Sequence, residues 1–158
     1  MANDQLNEEI QRMNRIKSGK DYNLPVLVID DDQWTRKVLV RFLNDMGYKT
    51  FEAEDPYKGI SMAIKARPIA VFLDIYLPDI NGDKILKILK EIEITSDTPI
   101  IMISGNFSKE LLHDTYKIGA AGFISKPFQR DVVEEALNKC FRSVKKSNGN
   151  TPEWEKEL

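Results

Sequence analysis

The sequence predicts an α/β fold: an open five-stranded parallel sheet, built as an alternating (βα)5 doubly wound sandwich, preceded by an N-terminal helix. Three observations predict it. Five short apolar runs recur along the chain, an amphipathic stretch follows each run, and four of the five runs are nearly all apolar. Parallel strands covered on both faces need that last property. Strands alternating with helices imply right-handed crossovers and a parallel sheet.

The elements can be justified in order. Near the N-terminus Leu6, Ile10 and Met13 recur at helical spacing, with Ile16 near the same face, Asn3 suited to cap the start and Gly19 the end. A helix this short is marginal alone in water, so the stripe needs a surface to cover it. Its own domain, a second copy in a homodimer and another partner all remain open. The first strand is Val26-Leu27-Val28-Ile29. Trp34, Val38, Leu39, Phe42, Leu43 and Met46 then share one helical face, and Gly47 follows as a C-terminal cap. Tyr48 to Ala53 is the second strand. Asp55-Pro56 reads as a cap and first-turn proline, opening a helix through Ile60 and Ile64. Ala70-Val71-Phe72-Leu73 is the third strand, with Ile85, Leu86, Ile88, Leu89 and Ile92 as the helix after it. Ile100 to Ile103 is the fourth, followed by a short helix with Leu111, Leu112 and Tyr116 that ends before Gly119. Gly122 to Ser125 is the fifth. Val132, Val133, Ala136, Leu137, Cys140, Phe141 and Val144 form the last helical stripe.

The 158 residues suit one domain with modest extensions, and a 42% apolar content is enough for a core. The organisation expected is an amphipathic helical extension over 1–22, the α/β domain over 23–145 and a short acidic tail over 146–158. A net charge of −2 gives no general pull toward nucleic acid or anionic lipid. One cysteine, Cys140, and one histidine, His113, exclude a disulfide framework and a Cys/His metal cluster. Cys140 lies on the apolar stripe and reads as core, and His113 reads as a surface residue. No stretch approaches the ~20 apolar residues that span a bilayer, and Met1 to Lys20 lacks the apolar run of a secretory signal. The expected location is the cytoplasm. No helix pair suited to DNA is expected after Val144.

In a parallel sheet the reactive groups stand at the carboxyl ends of the strands, near a switch in strand order. Those ends carry Asp30-Asp31-Asp32, then Asp74, then Ser104-Gly105, then Lys126-Pro127. Carboxylates held together repel unless a cation or proton joins them. Hard oxygen ligands with open positions suit Mg²⁺, which shares its ligands readily with phosphate. Asp74 is then available as a nucleophile that forms an acyl phosphate. Lys126 can pair with the transferred group, and Ser104 can donate a hydrogen bond to it. Phosphoryl transfer needs positioning and charge neutralisation above all, and these parts supply both. Any one of these residues alone would read as a turn or surface group; four matching strand ends in order are far more specific.

From about Leu24 to Val144 the chain resembles the response-regulator receiver domains of two-component signalling, whose sandwich is flavodoxin-like or CheY-like. The resemblance rests on Val26 to Asp32, on Phe72-Leu73-Asp74-Ile75-Tyr76-Leu77-Pro78-Asp79-Ile80-Asn81-Gly82, on Ser104, on Phe123 and on Lys126-Pro127-Phe128. It implies that Asp31 ligates Mg²⁺ (or Mn²⁺) directly and Asp30 through water, with Asp74 and the Tyr76 backbone carbonyl completing the set. Asp32 matches a variable position and stands outside it. The resemblance implies further that Asp74 is the phosphoacceptor, Ser104 the switch hydroxyl, Phe123 the aromatic switch and Lys126 the partner of the phosphoryl group, with a cis bond before Pro127.

The activity implied is acceptance of a phosphoryl group from a sensor histidine kinase or histidine phosphotransfer protein, and then a change in binding to a downstream protein target. Such a protein catalyses only its own phosphotransfer and dephosphorylation. It would work as a stand-alone receiver or as part of a longer protein, without contact to nucleic acid or membrane. Tyr76 and Asn106 occupy positions that tune phosphoryl lifetime in the family, and a bulky Tyr76 implies slow self-dephosphorylation. Gly105 leaves space beside the switch serine or relaxes its loop. Three other readings fit less well. A haloacid-dehalogenase-type phosphohydrolase needs a second Asp where Tyr76 stands. A flavodoxin-like cofactor carrier needs a hydroxyl- and glycine-rich loop where three aspartates stand. A phosphorylation-independent pseudo-receiver would have lost the acceptor, the acids or the Lys.

Overall fold

A computed structural model of the chain describes residues 24–143 together with Asn7 and Gln11. The expected helix over 1–22 with Leu6, Ile10, Met13 and Ile16, the end of the last helix at Val144, and the tail with Trp154 lie outside the described residues.

Among the described residues, strands and helices alternate as β1 (Pro25–Ile29), α1 (Gln33–Asp45), β2 (Lys49–Ala53), α2 (Pro56–Ala66) and β3 (Ala70–Asp74). They continue as α3 (Gly82–Glu91), β4 (Ile100–Ser104), α4 (Lys109–Ile118), β5 (Gly122–Ser125) and α5 (Arg130–Ser143). All pairings are parallel, and the strand order is β2-β1-β3-β4-β5. The five strands and five helices are those the sequence predicts.

Alternate residues of each central strand feed opposite layers, as the period of two requires. Val26, Val28, Phe72, Ile101 and Ile103 pack with Leu39 and Leu43 of α1 and Val133 and Leu137 of α5. Leu27, Ile29, Val71, Leu73 and Met102 pack with Ala63 of α2 and Ile85, Leu86 and Leu89 of α3, with Leu111 of α4 at the margin. Each of these fully buried large side chains stabilises the fold by about 1.5–3 kcal/mol against exposure. Both faces of β1, β3 and β4 are thus covered. None of the described helices is long and apolar enough to cross a membrane.

Local chemistry sets the helix ends. Asp32 caps α1 by accepting from the Thr35 N–H at 3.0 Å, so the third aspartate of the acidic run is structural. Asp55 caps α2 by accepting from the Lys58 N–H at 2.9 Å, with Pro56 in the first turn. Ser108 does the same for α4 at 3.1 Å to Leu111. Gly47, just past α1, takes φ 91°, a backbone conformation that would strain a side chain.

Two apolar stripes are narrower than the periodicity predicts. Trp34 and Val38 share the face of Leu39 and Leu43 in sequence, yet Trp34 is 73% exposed and Val38 42%. Both lie in the first two turns of α1, which follow the carboxyl end of β1. Both residues line instead an open groove of about 340 Å³ with Asp32, Thr35, Lys126, Pro127 and Phe128. Val132, in the first turn of α5, is likewise exposed.

Candidate functional site

The strand order reverses direction at β1, which has β2 on one side and β3 on the other. A crevice opens at such a switch, beyond the carboxyl ends of the strands. Ile29 pairs with Leu73, so the next residues, Asp30 and Asp74, emerge abreast. Backbone bonds continue the register past the strands: Asp30 N–H donates to Ala53 O at 3.1 Å, and Ile75 N–H to Ile103 O at 3.0 Å. Ser104 pairs with Ser125, and the following Lys126 N–H donates to Ser104 O at 2.8 Å. The peptide bond between Lys126 and Pro127 is cis, as the resemblance implies.

This framework gathers Asp30, Asp31, Asp74 and Lys126. One carboxylate oxygen from each of the three aspartates lies within 4.8 Å of the others. Asp30 is fully buried, Asp74 nearly so, and Asp31 faces solvent. Asp30 Oδ1 accepts from the Asp32 N–H at 2.9 Å. Lys126 Nζ lies 2.7 Å from Asp30 Oδ2 and 3.3 Å from Asp74 Oδ2. Asp30 Oδ2 is buried, and the Lys126 ammonium is its ion-pair partner. Asp74 Oδ1 accepts a long bond, 3.3 Å, from the Tyr76 N–H.

The electrostatics follow. Burial, together with the negative charge of Asp30, pushes Asp74 up to about 6, against the pull of Lys126 and the Tyr76 N–H. Burial alone would lower Lys126, but the Asp30 and Asp74 carboxylates outweigh it and raise its pKa above the usual lysine value. Both effects mark a site with more negative charge than one ammonium satisfies. Three convergent carboxylates, two of them buried, against one ammonium fit a hard divalent cation with oxygen ligands.

The backbone of Asp74 is held in place as well as its carboxylate. Gly82 N–H donates to Ile75 O at 2.7 Å at the start of α3. A Cβ on Gly82 would stand 2.2 Å from Asp74 O and 2.8 Å from Ile75 Cα, so α3 approaches the strand end as only glycine permits. Tyr76 projects outward and is 56% exposed, at the rim of the cluster.

Ser104 is fully buried at the end of β4. Its hydroxyl donates to Asn106 O at 3.0 Å and accepts from Asn106 N–H at 3.1 Å, so it is engaged with its own loop. The next residue of that loop, Phe107, meets Phe123 edge to face at 5.1 Å between centroids, and Tyr116 meets the same ring at 4.8 Å. Phe123 is half-buried on β5. Gly105 and Asn106 are exposed, and so is His113, which stands on α4 apart from the acidic cluster. Cys140 is buried in the layer with α1, and burial pushes its thiol up to about 12.

Arg36 was missed from sequence. Its Nη1 donates to Asp30 O at 2.7 Å and to Asp31 O at 3.2 Å. Its Nε lies 3.5 Å from Glu52 Oε1 on β2. A signal was present, since a cation near a helix N-terminus opposes the macrodipole and needs another reason to be there.

Comparison with known proteins agrees with this geometry. The family model described as the response regulator receiver domain matches residues 26–138. The chain is 29% identical over 117 residues to sporulation initiation phosphotransferase F of Bacillus subtilis, covering 74% of this chain and 93% of that protein. It is 29% identical over 123 residues to chemotaxis protein CheY-3 of Vibrio cholerae, covering 77% and 95%. The high-resolution structure of the chemotaxis response regulator CheY4 of Vibrio cholerae superposes with a TM-score of 0.70 at 27% identity, covering 74% of this chain and 98% of that one.

Proposed function

The chain belongs to the response regulator receiver domain family of two-component signalling, and from that premise we propose that Asp74 accepts a phosphoryl group from a phosphohistidine of a histidine kinase or phosphotransfer protein. The observation that carries the reading is Lys126, whose Nζ lies within 3.3 Å of both Asp30 and Asp74 in a cluster of three carboxylates.

Asp30, Asp31, Asp74 and the Tyr76 carbonyl would hold Mg²⁺ or Mn²⁺. When bound, the cation neutralises charge on the carboxylates and on the incoming phosphoryl oxygens. The chain's own residues do the rest. At neutral pH the Asp74 carboxylate, near pKa 6, is mostly ionised and nucleophilic. Its oxygen bonds to phosphorus as the N–P bond of the phosphohistidine breaks, and the imidazole leaves with that bond's electron pair. Lys126 exchanges part of its contact with the carboxylates for a phosphoryl oxygen. Ser104 releases Asn106 to donate to another. The loop through Phe107 then moves, and Phe123 repacks. The surface of α4, β5 and α5 changes, and a downstream protein target reads it as a population shift between two packings.

The receiver unit over 23–145, flanked by the extension over 1–22 and the tail over 146–158, belongs to the same proposal. So does a cytoplasmic setting, which suits a single buried thiol. The chain acts as a signalling switch rather than as an enzyme with a separate substrate, and without nucleic-acid contact.

The test is intact mass after incubation with acetyl phosphate, in Mg²⁺ and in EDTA, for wild type and Asp74→Asn. The expected result is a gain of one phosphoryl group in wild type with Mg²⁺ only. A gain that persists in Asp74→Asn overturns the assignment of the acceptor. No gain in wild type, from acetyl phosphate or from a phosphorylated histidine phosphotransfer protein, overturns the reading in favour of a phosphorylation-independent binding module.

A further inference from the structure

We infer that Arg36 is a positioning residue for the cation site: it fixes the acidic loop after β1 by its backbone, so that Asp30 and Asp31 present their carboxylates in the arrangement a divalent ion needs. The inference rests on the reading of Asp30, Asp31 and Asp74 as cation ligands. Arg36 leaves α1 and turns back beneath the loop. Its Nη1 bonds the carbonyls of both Asp30 and Asp31, at 2.7 and 3.2 Å, and its Nε faces Glu52 of β2 at 3.5 Å. Its side chain is only 14% exposed, against 46% for Glu52. One guanidinium therefore spans α1, the loop and the neighbouring strand, using a planar fork that a lysine lacks.

The choice of acceptors matters. Arg36 bonds the backbone carbonyls of Asp30 and Asp31, whereas Lys126 takes the carboxylates of Asp30 and Asp74. The two carbonyl bonds fix the orientation of consecutive peptide planes, and with them the directions in which the Asp30 and Asp31 side chains depart. The guanidinium leaves the carboxylate oxygens free for a cation. Outer partners of this kind set the geometry of the ligands they hold.

Positioning and simple charge make opposite predictions. Arg36 is a cation close to a cation site. If its charge were its only influence, removing it would relieve repulsion and tighten Mg²⁺ binding. If it positions the loop, removing it weakens binding. The experiment is calorimetric titration of MgCl₂ into metal-free protein for wild type, Arg36→Met and Arg36→Lys, with thermal melting of each in EDTA. Arg36→Met keeps the aliphatic stem and loses charge and donors. We expect about tenfold weaker Mg²⁺ binding in it, by analogy with other outer-shell partners, with melting in EDTA close to wild type. Arg36→Lys restores the charge without the fork and remains weaker than wild type by about threefold.

Equal or tighter binding in Arg36→Met overturns the inference and leaves the site itself intact. Absence of Mg²⁺ binding in wild type overturns instead the cation-site reading on which it rests. Should Arg36→Met show no melting transition, Arg36→Lys decides on the same criterion: weaker than wild type supports positioning, and equal or tighter refutes it.

Discussion

Lys126 stands closer to Asp30 than to the neighbouring Asp74, 2.7 Å against 3.3 Å, although Asp74 is the proposed nucleophile. Asp30 is fully buried and has no other cation among the ion pairs of the described residues. In the metal-free protein Lys126 is therefore first a counter-ion for Asp30. Lys126→Met should destabilise the protein in EDTA by about 2–3 kcal/mol, below the usual cost of breaking a buried pair because Lys126 is itself partly solvated. Saturating Mg²⁺ should narrow that gap. Urea denaturation with and without Mg²⁺ measures both, and a gap of the same size in each condition would contradict the role.

Asp74 titrates near 6 in the folded protein, against about 3.8 for its ordinary value. A carboxyl group raised on folding binds its proton more tightly in the native state. Its ionisation therefore opposes folding fully above pH 6, and the opposition fades as pH falls from 6 toward 3.8. Asp74→Asn should stabilise the metal-free protein at pH 8 by about 2 kcal/mol and lose that advantage near pH 4. Urea midpoints of the two proteins in EDTA across this range give the answer. A difference independent of pH would mean that Asp74 is not held in the protonation-sensitive state described.

Tyr76 is exposed at the rim beside the Asp74 carboxylate, whose Oδ1 its own N–H approaches at 3.3 Å. Its ring can occupy space through which water reaches an acyl phosphate. Tyr76→Ala keeps the backbone donor and removes the ring, so the phosphoryl group should be lost several-fold faster. The decay of the phosphorylated mass after desalting gives the lifetime, and an equal or longer lifetime in the variant would end the proposal.

Gly82→Ala places a methyl group against the carbonyl oxygen of Asp74. The clash is with backbone on both sides and has no flexible side chain to yield, so either α3 or the end of β3 must shift. A loss of about 3 kcal/mol is expected, at the upper end of overpacking effects. Acetyl phosphate should also label the variant more slowly under conditions where it is still folded, because the acceptor moves with its peptide. Labelling at the wild-type rate would show that the shift is absorbed by α3 alone.

How legible these features were depends on the kind of signal each leaves. The strands at Val26–Ile29, Ala70–Leu73 and Ile100–Ile103 are buried on both faces and announce themselves by composition. Asp55-Pro56 and Gly47 announce helix ends by chemistry that few other contexts need. The grouping of Asp30, Asp31, Asp74 and Lys126 was legible because a parallel sheet brings strand ends together whatever their distance in sequence, whereas the bonding of Ser104 to its own loop left no pattern. Arg36 was not, because its acceptors are backbone carbonyls, which every residue carries. The solvation of Trp34 and Val38 was also hidden, since helical periodicity reports a face but not how much of it is covered. Phe107 gave no pattern at all; its contact with Phe123 joins the loop after β4 to strand β5, which only the fold brings together.

Cys140 has a practical consequence for studying the switch. Thiol reagents attack the thiolate, and a buried thiol held near pKa 12 offers almost none at neutral pH. A cysteine introduced on the exposed side of α4 or α5 will therefore react with a maleimide probe while Cys140 stays unlabelled. The native residue need not be replaced, and its own labelling becomes a clock for global unfolding in the same tube.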